Sequence, residues 1–518
     1  MNDTPKKSAS FTGSLRKVST WTGMGATAVI VMYLMLASAA PHWLAGVLNV
    51  ELFAPTDPVQ IELFWYPPLL AMIALFFAAM IVATVVAVPL RLRNVGAWCS
   101  HIGLLILGAG AVWYAAASQS GDSITFRARQ GWTPIKYIYL DRSFAVYVRD
   151  SEDPNGLPLQ HPLAGLVPRG EPKDLDVTVG RMPEGITIRV TQFLPEVRIT
   201  TRWANVSPNI IPAVELSLTD GEAAGTFVLS QSLPGHEHLG VSDYIFTYRP
   251  AMTPEGLKNI ITPTDANGAP GMGHDLALVV TGSRIEPTIV VIRPDGSRWH
   301  AKLEVGKVVD VPLAGRTVRV EPRVFFDHAA EVREVAPPHD HAAHQAHGAM
   351  GDEVPAGPAV KLEIRSGDWR RETFVPFMAY EDIAEPQLID VPGNRAFWLS
   401  FSRQRLALPA TIQVRAARYE TYPGSGIPKD YVCDLAVTAG AQVTTETLCL
   451  NNPVTVGGFQ FSQGSWAPAG AAQPSRISLG ARSRPGLPII WLGCVLICLG
   501  FPYAFYVKPL LMRRRAAS

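Results

Sequence analysis

The sequence is poor in charge and in cysteine. Charged residues fill 17% of its 518 positions, against about 25% in a typical soluble protein. Its 45 Lys+Arg nearly balance its 44 Asp+Glu. A net charge of +1 argues against a general nucleic-acid binder, which carries a basic patch or a high pI. Five cysteines in so long a chain exclude a disulfide scaffold and a cysteine-cluster metal protein. There is no Walker A loop, no H-E-x-x-H, no G-x-S-x-G and no C-x-x-C-H haem-attachment string. Those absences argue against a conventional hydrolase or ATPase. Glycine and proline, 43 each, are too scattered for a low-complexity chain. The length allows about three or four domains.

The missing charge is concentrated. Four stretches hold no Asp, Glu, Lys or Arg: Trp21 to about Leu48, Leu63 to Leu90, Val95 to about Ala117, and Leu487 to Val507. Each is long enough to span a bilayer, which needs about 20 apolar residues. The first is no signal peptide, because its apolar run is too long and Pro41-His42-Trp43 is no small-residue cleavage site. The basic flanks set the direction. Lys6, Lys7, Arg16 and Lys17 precede the first span, Arg91 and Arg93 link the second to the third, and Lys508 and Arg513 to Arg515 follow the fourth. All fall on one side if both termini are cytoplasmic. The expected organisation is a cytoplasmic stretch 1–20, three membrane helices within 21–117, an exported domain 118–486, a fourth helix 487–507 and a basic tail 508–518. In a bacterium this is the inner membrane, with a periplasmic domain. Trp43, Trp65, Tyr66, Trp113, Tyr114 and Trp491 then form an outer aromatic belt.

The exported part shows short alternating runs rich in Val, Ile and Thr, broken by Pro, Gly, Asn and Asp. This predicts an all-β domain without an amphipathic helix. Its runs also recur. Thr187-Ile-Arg-Val, Ala213-Val-Glu-Leu-Ser-Leu, Thr226-Phe-Val-Leu and Tyr244-Ile-Phe-Thr-Tyr have counterparts in Thr317-Val-Arg-Val, Ala359-Val-Lys-Leu-Glu-Ile, Thr373-Phe-Val-Pro and Phe397-Trp-Leu-Ser-Phe. A third set is Thr411-Ile-Gln-Val, Cys433-Asp-Leu-Ala-Val, Thr447-Leu-Cys-Leu and Phe459-Gln-Phe. The expectation is three repeated β units, each packing a sheet face on its neighbour. A His-rich insert, residues 328–350, reads as an exposed loop within the second unit.

His101 is the most informative residue. It lies within the third apolar stretch, about 9 Å in from the helix start at 1.5 Å per residue. An ionisable side chain inside a membrane span is a functional hypothesis by default. A neutral imidazole there suits a haem iron or another metal; the alternative is a packing histidine bonded to a nearby helix. Gly103, Gly108 and Gly110 leave room for a neighbouring helix or a flat cofactor. His42, at the outer end of the first span, is an interface residue or a weaker candidate ligand. His339, His341, His344 and His347 place four imidazoles within nine residues, a pattern that binds divalent metals but matches no defined zinc site. The tract is a metal scavenger, a weak haem binder or inert. Cys433 and Cys449 flank an expected hairpin turning near Ala441. A cross-strand disulfide fits that arrangement; the rival is a pair of thiols used in exchange. Cys99, Cys494 and Cys498 read as small buried hydrophobes.

The layout and four strings resemble the ResB family (also called CcsB or Ccs1) of system II cytochrome c biogenesis. The strings are His101-Ile-Gly-Leu-Leu-Ile-Leu-Gly, Leu408-Pro-Ala-Thr-Ile-Gln-Val-Arg with Tyr422-Pro-Gly-Ser-Gly-Ile-Pro-Lys-Asp-Tyr, Asn451-Asn-Pro-Val-Thr-Val-Gly-Gly-Phe-Gln-Phe-Ser-Gln, and Pro485-Gly-Leu-Pro-Ile-Ile-Trp-Leu-Gly. They bracket nearly the whole chain. Ser462, Cys433 and the His-rich insert depart from the family pattern. The resemblance implies a non-enzymatic half of a haem-transporting cytochrome c synthase, with a ResC (CcsA) type membrane protein as partner. It implies haem b, held transiently and shared with that partner, His101 as an axial ligand, and delivery to apocytochrome c. A thiol-reducing thioredoxin-like protein is a further implied partner. Two other readings stay open: a membrane-anchored exported scaffold or metal-binding module without a haem ligand, and a redox subunit passing electrons through a bound haem.

Overall fold

A computed structural model of the chain describes residues 6–48, 63 and 66–510, except 130, 154–155, 164–165, 167–171, 180–181, 183–184, 222, 234, 242–243, 251–252, 263–273, 283–284, 337–356, 384–385, 424–427 and 468–473. The helices described are α1 (Lys6–Ala39), α2 (Pro41–Leu48), α3 (Pro67–Ala87), α4 (Val95–Ala117), α5 (Pro254–Ile261) and α6 (Leu487–Pro502). Among the described residues, four segments are long and apolar enough to cross a membrane: Gly13–Ala39, Pro67–Val86, Val95–Ala117 and Leu487–Leu510. This is a membrane protein with three such helices before a large β region and one after it.

The first span differs from expectation. Its helix begins at Lys6 and ends at Ala39, and Pro41 opens a separate helix. Proline has no N–H for the helical ladder, so the break falls there. At its far end, α6 runs through Pro502 into a π-helical turn, Tyr503–Val507.

The chain forms two compact units. One comprises residues 1–144, 162–171 and 403–518; the other comprises 145–161 and 172–402. In the first unit, α4 and α6 meet along a glycine seam. Gly96, Gly103 and Gly110 of α4 face Gly500, Gly493 and Gly486 at the other helix. A Cβ on Gly103 would stand 2.8 Å from the Gly493 carbonyl oxygen, and one on Gly500 2.7 Å from that of Gly96. Glycine recurs at every seventh position on both sides. Seven residues are close to two helical turns, so the seam keeps to one face of each helix. The backbones therefore touch, as small residues allow between membrane helices. Tyr503 hydroxyl donates to the Leu92 carbonyl at 2.9 Å, so the Arg91 link and the Lys508 end lie at the same end of this pair.

From the opposite end, both helices pass straight into neighbouring strands. Ser120–Ala128 pairs with Arg476–Ser483, with Ser120 opposite Arg482. Arg476–Ser483 in turn pairs with Phe459–Ala467, and that strand with Val454–Val456. Ile138, Ile412, Leu435, Phe461 and Ile477 are fully buried in the core beneath. The expected hairpin is present: Pro428–Ala439 pairs with Gln442–Leu448, Ala439 opposite Gln442.

The second unit contains a four-stranded sheet, Val309–Leu313, Arg316–Phe326, Ala213–Asp220 and Ala223–Leu229 in that order. A five-stranded sheet runs His238–Val241, Tyr244–Pro250, Asp275–Gly282, Ile285–Ile292, Arg298–Lys302. Val214, Leu216 and Val318 of the former pack with Phe246, Val279 and Ile289 of the latter in one core. The sheets form a sandwich.

Three expectations need correction. The repeated strings do not form separate units. Arg316–Phe326 pairs with Ala213–Asp220, and Gly357–Ser366 pairs with Ile186–Val197. The opening strand of each of the first two sets thus bonds to the second strand of the other. Only the third set pairs its first two strands internally, Thr411 opposite Thr438. The expected insert 328–350 also begins too early, because Ala329–Val335 is a strand on Ile199–Asn205. Its His328 ring Nδ1 donates to the Asn209 carbonyl, 2.8 Å away, which is a structural contact. Finally, the β region does contain a helix. The Thr253 hydroxyl caps α5 by accepting from Gly256 N–H at 3.1 Å, and Leu257, Ile260 and Ile261 pack on Leu278, Val280 and Val290. It sits between Tyr244–Pro250 and Asp275–Gly282, which are parallel and so need a crossover.

Candidate functional site

His101 is the seventh residue of α4. A helix turns about 100° per residue, so His101, Leu104 and Gly108 share the face opposite the glycine seam. On that face stands α3. The Thr84 hydroxyl oxygen lies 2.8 Å from His101 Nδ1 and 2.7 Å from the Met80 carbonyl oxygen. A carbonyl only accepts, so the hydroxyl spends its one hydrogen on Met80. Thr84 Oγ1 must then accept from Nδ1–H of His101. The neutral ring in this tautomer carries its lone pair on Nε2, the state a metal-ligating imidazole needs. Thr84 is 2% exposed, so the arrangement is shielded.

His101 and Leu104 border a groove of about 760 Å³, otherwise lined by α1 and α3. That volume lies within the about 300–1,000 Å³ of ordinary ligand sites. The lining is mainly apolar and includes Met24, Met32, Met35, Met80 and Phe76. Thr27, also at the groove, spends its hydrogen on the Gly23 carbonyl at 2.8 Å. The helices α1 and α3 approach closely at Gly23, where a Cβ would meet that of Ala79 at 3.8 Å. Among the described residues, no three His, Cys, Asp or Glu side chains group as a metal site. The groove therefore offers one strong nitrogen ligand within an apolar slot. Such a donor set fits one axial position of a haem; it does not fit a bare divalent ion, which needs more ligands.

The other site expectations fare differently. Two of the three glycines, Gly103 and Gly110, make room for α6, and Gly108 faces the Phe77 ring. His42 is the second residue of α2, and its side chain lies outside the described part of the chain. His339, His341, His344 and His347 also lie outside the described residues.

Cys433 and Cys449 are free thiols, which corrects the expected disulfide. The register explains it: Leu448, not Cys449, stands opposite Cys433. Adjacent strand residues point to opposite faces, so Cys449 is turned away. Burial pushes the Cys433 thiol up to about 11, which makes it an inert core residue rather than an exchange nucleophile. A maleimide reagent at neutral pH is expected to leave Cys433 unmodified in the folded chain. After denaturation without reductant, both cysteines should label fully. Labelling that requires reductant would show a bond and defeat this assignment. Cys99 and Cys494 are half-buried and Cys498 exposed, so none of the three is fully buried as the sequence suggested.

Two features escaped the sequence. One is Thr84, whose only signal was a lone hydroxyl in Met-Ile-Val-Ala-Thr-Val-Val. The other is a buried ionic cluster in the second unit. Burial pushes the Asp390 carboxyl up to about 6, against the opposing effects of Arg371 and the Ser207 hydroxyl. Arg371 Nη2 donates to the Glu331 carbonyl. With an ordinary value of 3.8, Asp390 holds a proton in the fold that the unfolded chain has released between those limits. Stability therefore falls as pH rises from about 4 to about 6, by at most ~1.4 kcal/mol per unit. Asp390→Asn is expected to flatten the melting temperature across that window relative to wild type. Parallel curves for the two proteins would refute the assignment.

No family model matches the chain. Over 104 residues it is 29% identical to Protein NrfI of Wolinella succinogenes. That match covers 20% of this chain and 11% of the relative's length.

Proposed function

We propose that this chain is a membrane component of cytochrome c biogenesis, of the ResB kind, which holds haem for transfer to apocytochrome c. The general role is supported by the four resembling strings and by the similarity to NrfI. The observation that carries the finer reading is the His101–Thr84 contact, because with Nδ1 bonded to Thr84 the lone pair lies on Nε2 of a ring that borders an apolar groove. Haem supplies an iron that accepts such a nitrogen. Two neutral imidazoles would hold such an iron without burying added charge; His101 would supply one, and a ResC (CcsA) type partner would supply the other. Thr84 holds the ring's tautomer and angle. The basic flanks of the helices favour an orientation in a bacterial inner membrane with both termini and the Arg91 link on the cytoplasmic side. In that orientation the β region would face the periplasm, where apocytochrome c is found.

The test is an absorption spectrum of the protein in mild detergent, alone and co-purified with a multi-span partner. A reduced b-type haem spectrum that requires both chains is expected. If no preparation contains haem while cytochromes c still depend on the chain, the protein is a scaffold of the assembly machinery.

A further inference from the structure

A second hollow, of about 510 Å³, lies where the helices meet the β region of the first unit. Its apolar edge is Ala117 and Leu487, the last residue of α4 and the first of α6. Those residues mark one boundary of the membrane-crossing segments, whichever way the chain is oriented. Its polar wall is built from three stretches. Arg482 and Arg484 come from the strand end leading into α6. Thr455 and Gln460 come from the hairpin Val454–Val456 with Phe459–Ala467. That hairpin turns at Gly457 and Gly458, with φ of 58° and 83°, a geometry that favours glycine. The string Val454-Thr-Val-Gly-Gly-Phe-Gln, conspicuous in the sequence, thus shapes this hollow.

The site is held firmly. Gln119 N–H donates to Ser483 Oγ at 2.8 Å, and Ser483 N–H to the Gln119 carbonyl at 2.9 Å. Gly486 has φ +79°, and a Cβ there would stand 2.6 Å from the Gly110 carbonyl oxygen. The lining contains two guanidinium groups and no acid, and no ion pair is found for either arginine among the described residues. Gln460 Oε1 is buried without a hydrogen-bond partner. A buried amide oxygen with no partner costs free energy until something donates to it.

We infer that this hollow binds the headgroup of an anionic phospholipid, with Arg482 and Arg484 on the phosphate and the Gln460 amide on a headgroup hydroxyl. The level fits, because a lipid phosphate sits at the end of the hydrocarbon layer. The charge fits, because paired arginines recognise phosphate oxygens through their N–H forks. The unpartnered amide favours a headgroup that donates, such as glycerol, over choline, which has no donor. The lipid would staple the hairpin to the helix ends, and this role is independent of any haem at His101.

The full chain, purified in mild detergent, is offered phosphatidylglycerol and phosphatidylcholine in equal amounts, and bound lipid is counted by native mass spectrometry. Wild type should keep phosphatidylglycerol preferentially. Arg482→Gln and Arg484→Gln should each lower its retention about fivefold, as expected for one basic residue at a lipid surface. Arg476→Gln is the control. It removes the same charge from the far end of the same strand, about 20 Å away at 3.3 Å per residue, and should change nothing. Equal loss in that control would mean general electrostatics and would overturn the site. Unchanged retention in the Arg482 and Arg484 double variant would overturn it too. Displacement of the lipid by excess inorganic phosphate would identify free phosphate as the ligand instead, and the membrane source would be rejected.

Discussion

The His101→Ala variant, purified with its membrane partner, is expected to carry less than a tenth of the wild-type haem in its reduced absorption spectrum. The ring supplies the one nitrogen ligand that the described residues place at the groove, and alanine replaces it with nothing. Thr84→Val gives the sharper test. Valine keeps the shape and removes the oxygen that accepts from Nδ1–H. The ring remains, but its tautomer and angle are no longer imposed. Loss of such a supporting partner typically weakens metal binding about 10- to 100-fold. A Thr84→Val protein with an altered spectrum and lower occupancy, but normal folding and partner association, would support the positioning role. Full haem content in His101→Ala would end the claim that this histidine is a ligand.

Gly103→Leu is expected to lower the melting temperature by several degrees. A Cβ at that position meets the Gly493 carbonyl oxygen at 2.8 Å and Leu496 and Ile497 at 2.9 Å. The first of these is backbone and has no rotamer to yield. Overpacking a fitted interface costs about 1–3 kcal/mol, more when backbone must move. Separating α4 from α6 would also shift the strands that leave them at Ser120 and Ser483. Gly25→Ala is the matched control, since nothing lies within 4 Å of its Cβ position; it should be neutral or slightly stabilising. Melting followed by tryptophan fluorescence in detergent separates the two. An unchanged transition in Gly103→Leu would mean the seam is not a close contact.

Much of this was legible because a bilayer imposes a one-dimensional rule. A span must be apolar for about 20 residues, so composition alone located the four helices. The alternation of Val, Ile and Thr likewise announced strands, and Thr438-Ala-Gly-Ala announced the 428–448 hairpin. His101 stood out because an imidazole in hydrocarbon needs a reason.

Pairing was another matter. Local pattern says that Cys433 and Cys449 sit on adjacent strands; only the register, set by the turn, puts Leu448 opposite Cys433. A one-residue difference reverses the face, and so it decides between a bond and two free thiols. The repeated strings were visible, yet their strands bond across the sets, because pairing between strands distant in the chain leaves no trace in the spacing of the strings. The seven-residue glycine spacing was present on both helices, but it became a seam only when Gly96, Gly103 and Gly110 met Gly500, Gly493 and Gly486. Thr84 is the clearest case. Nothing in its sequence neighbourhood points to His101, 17 residues away. Packing of α3 on α4 brings the hydroxyl to the ring, and that contact determines which nitrogen carries the lone pair.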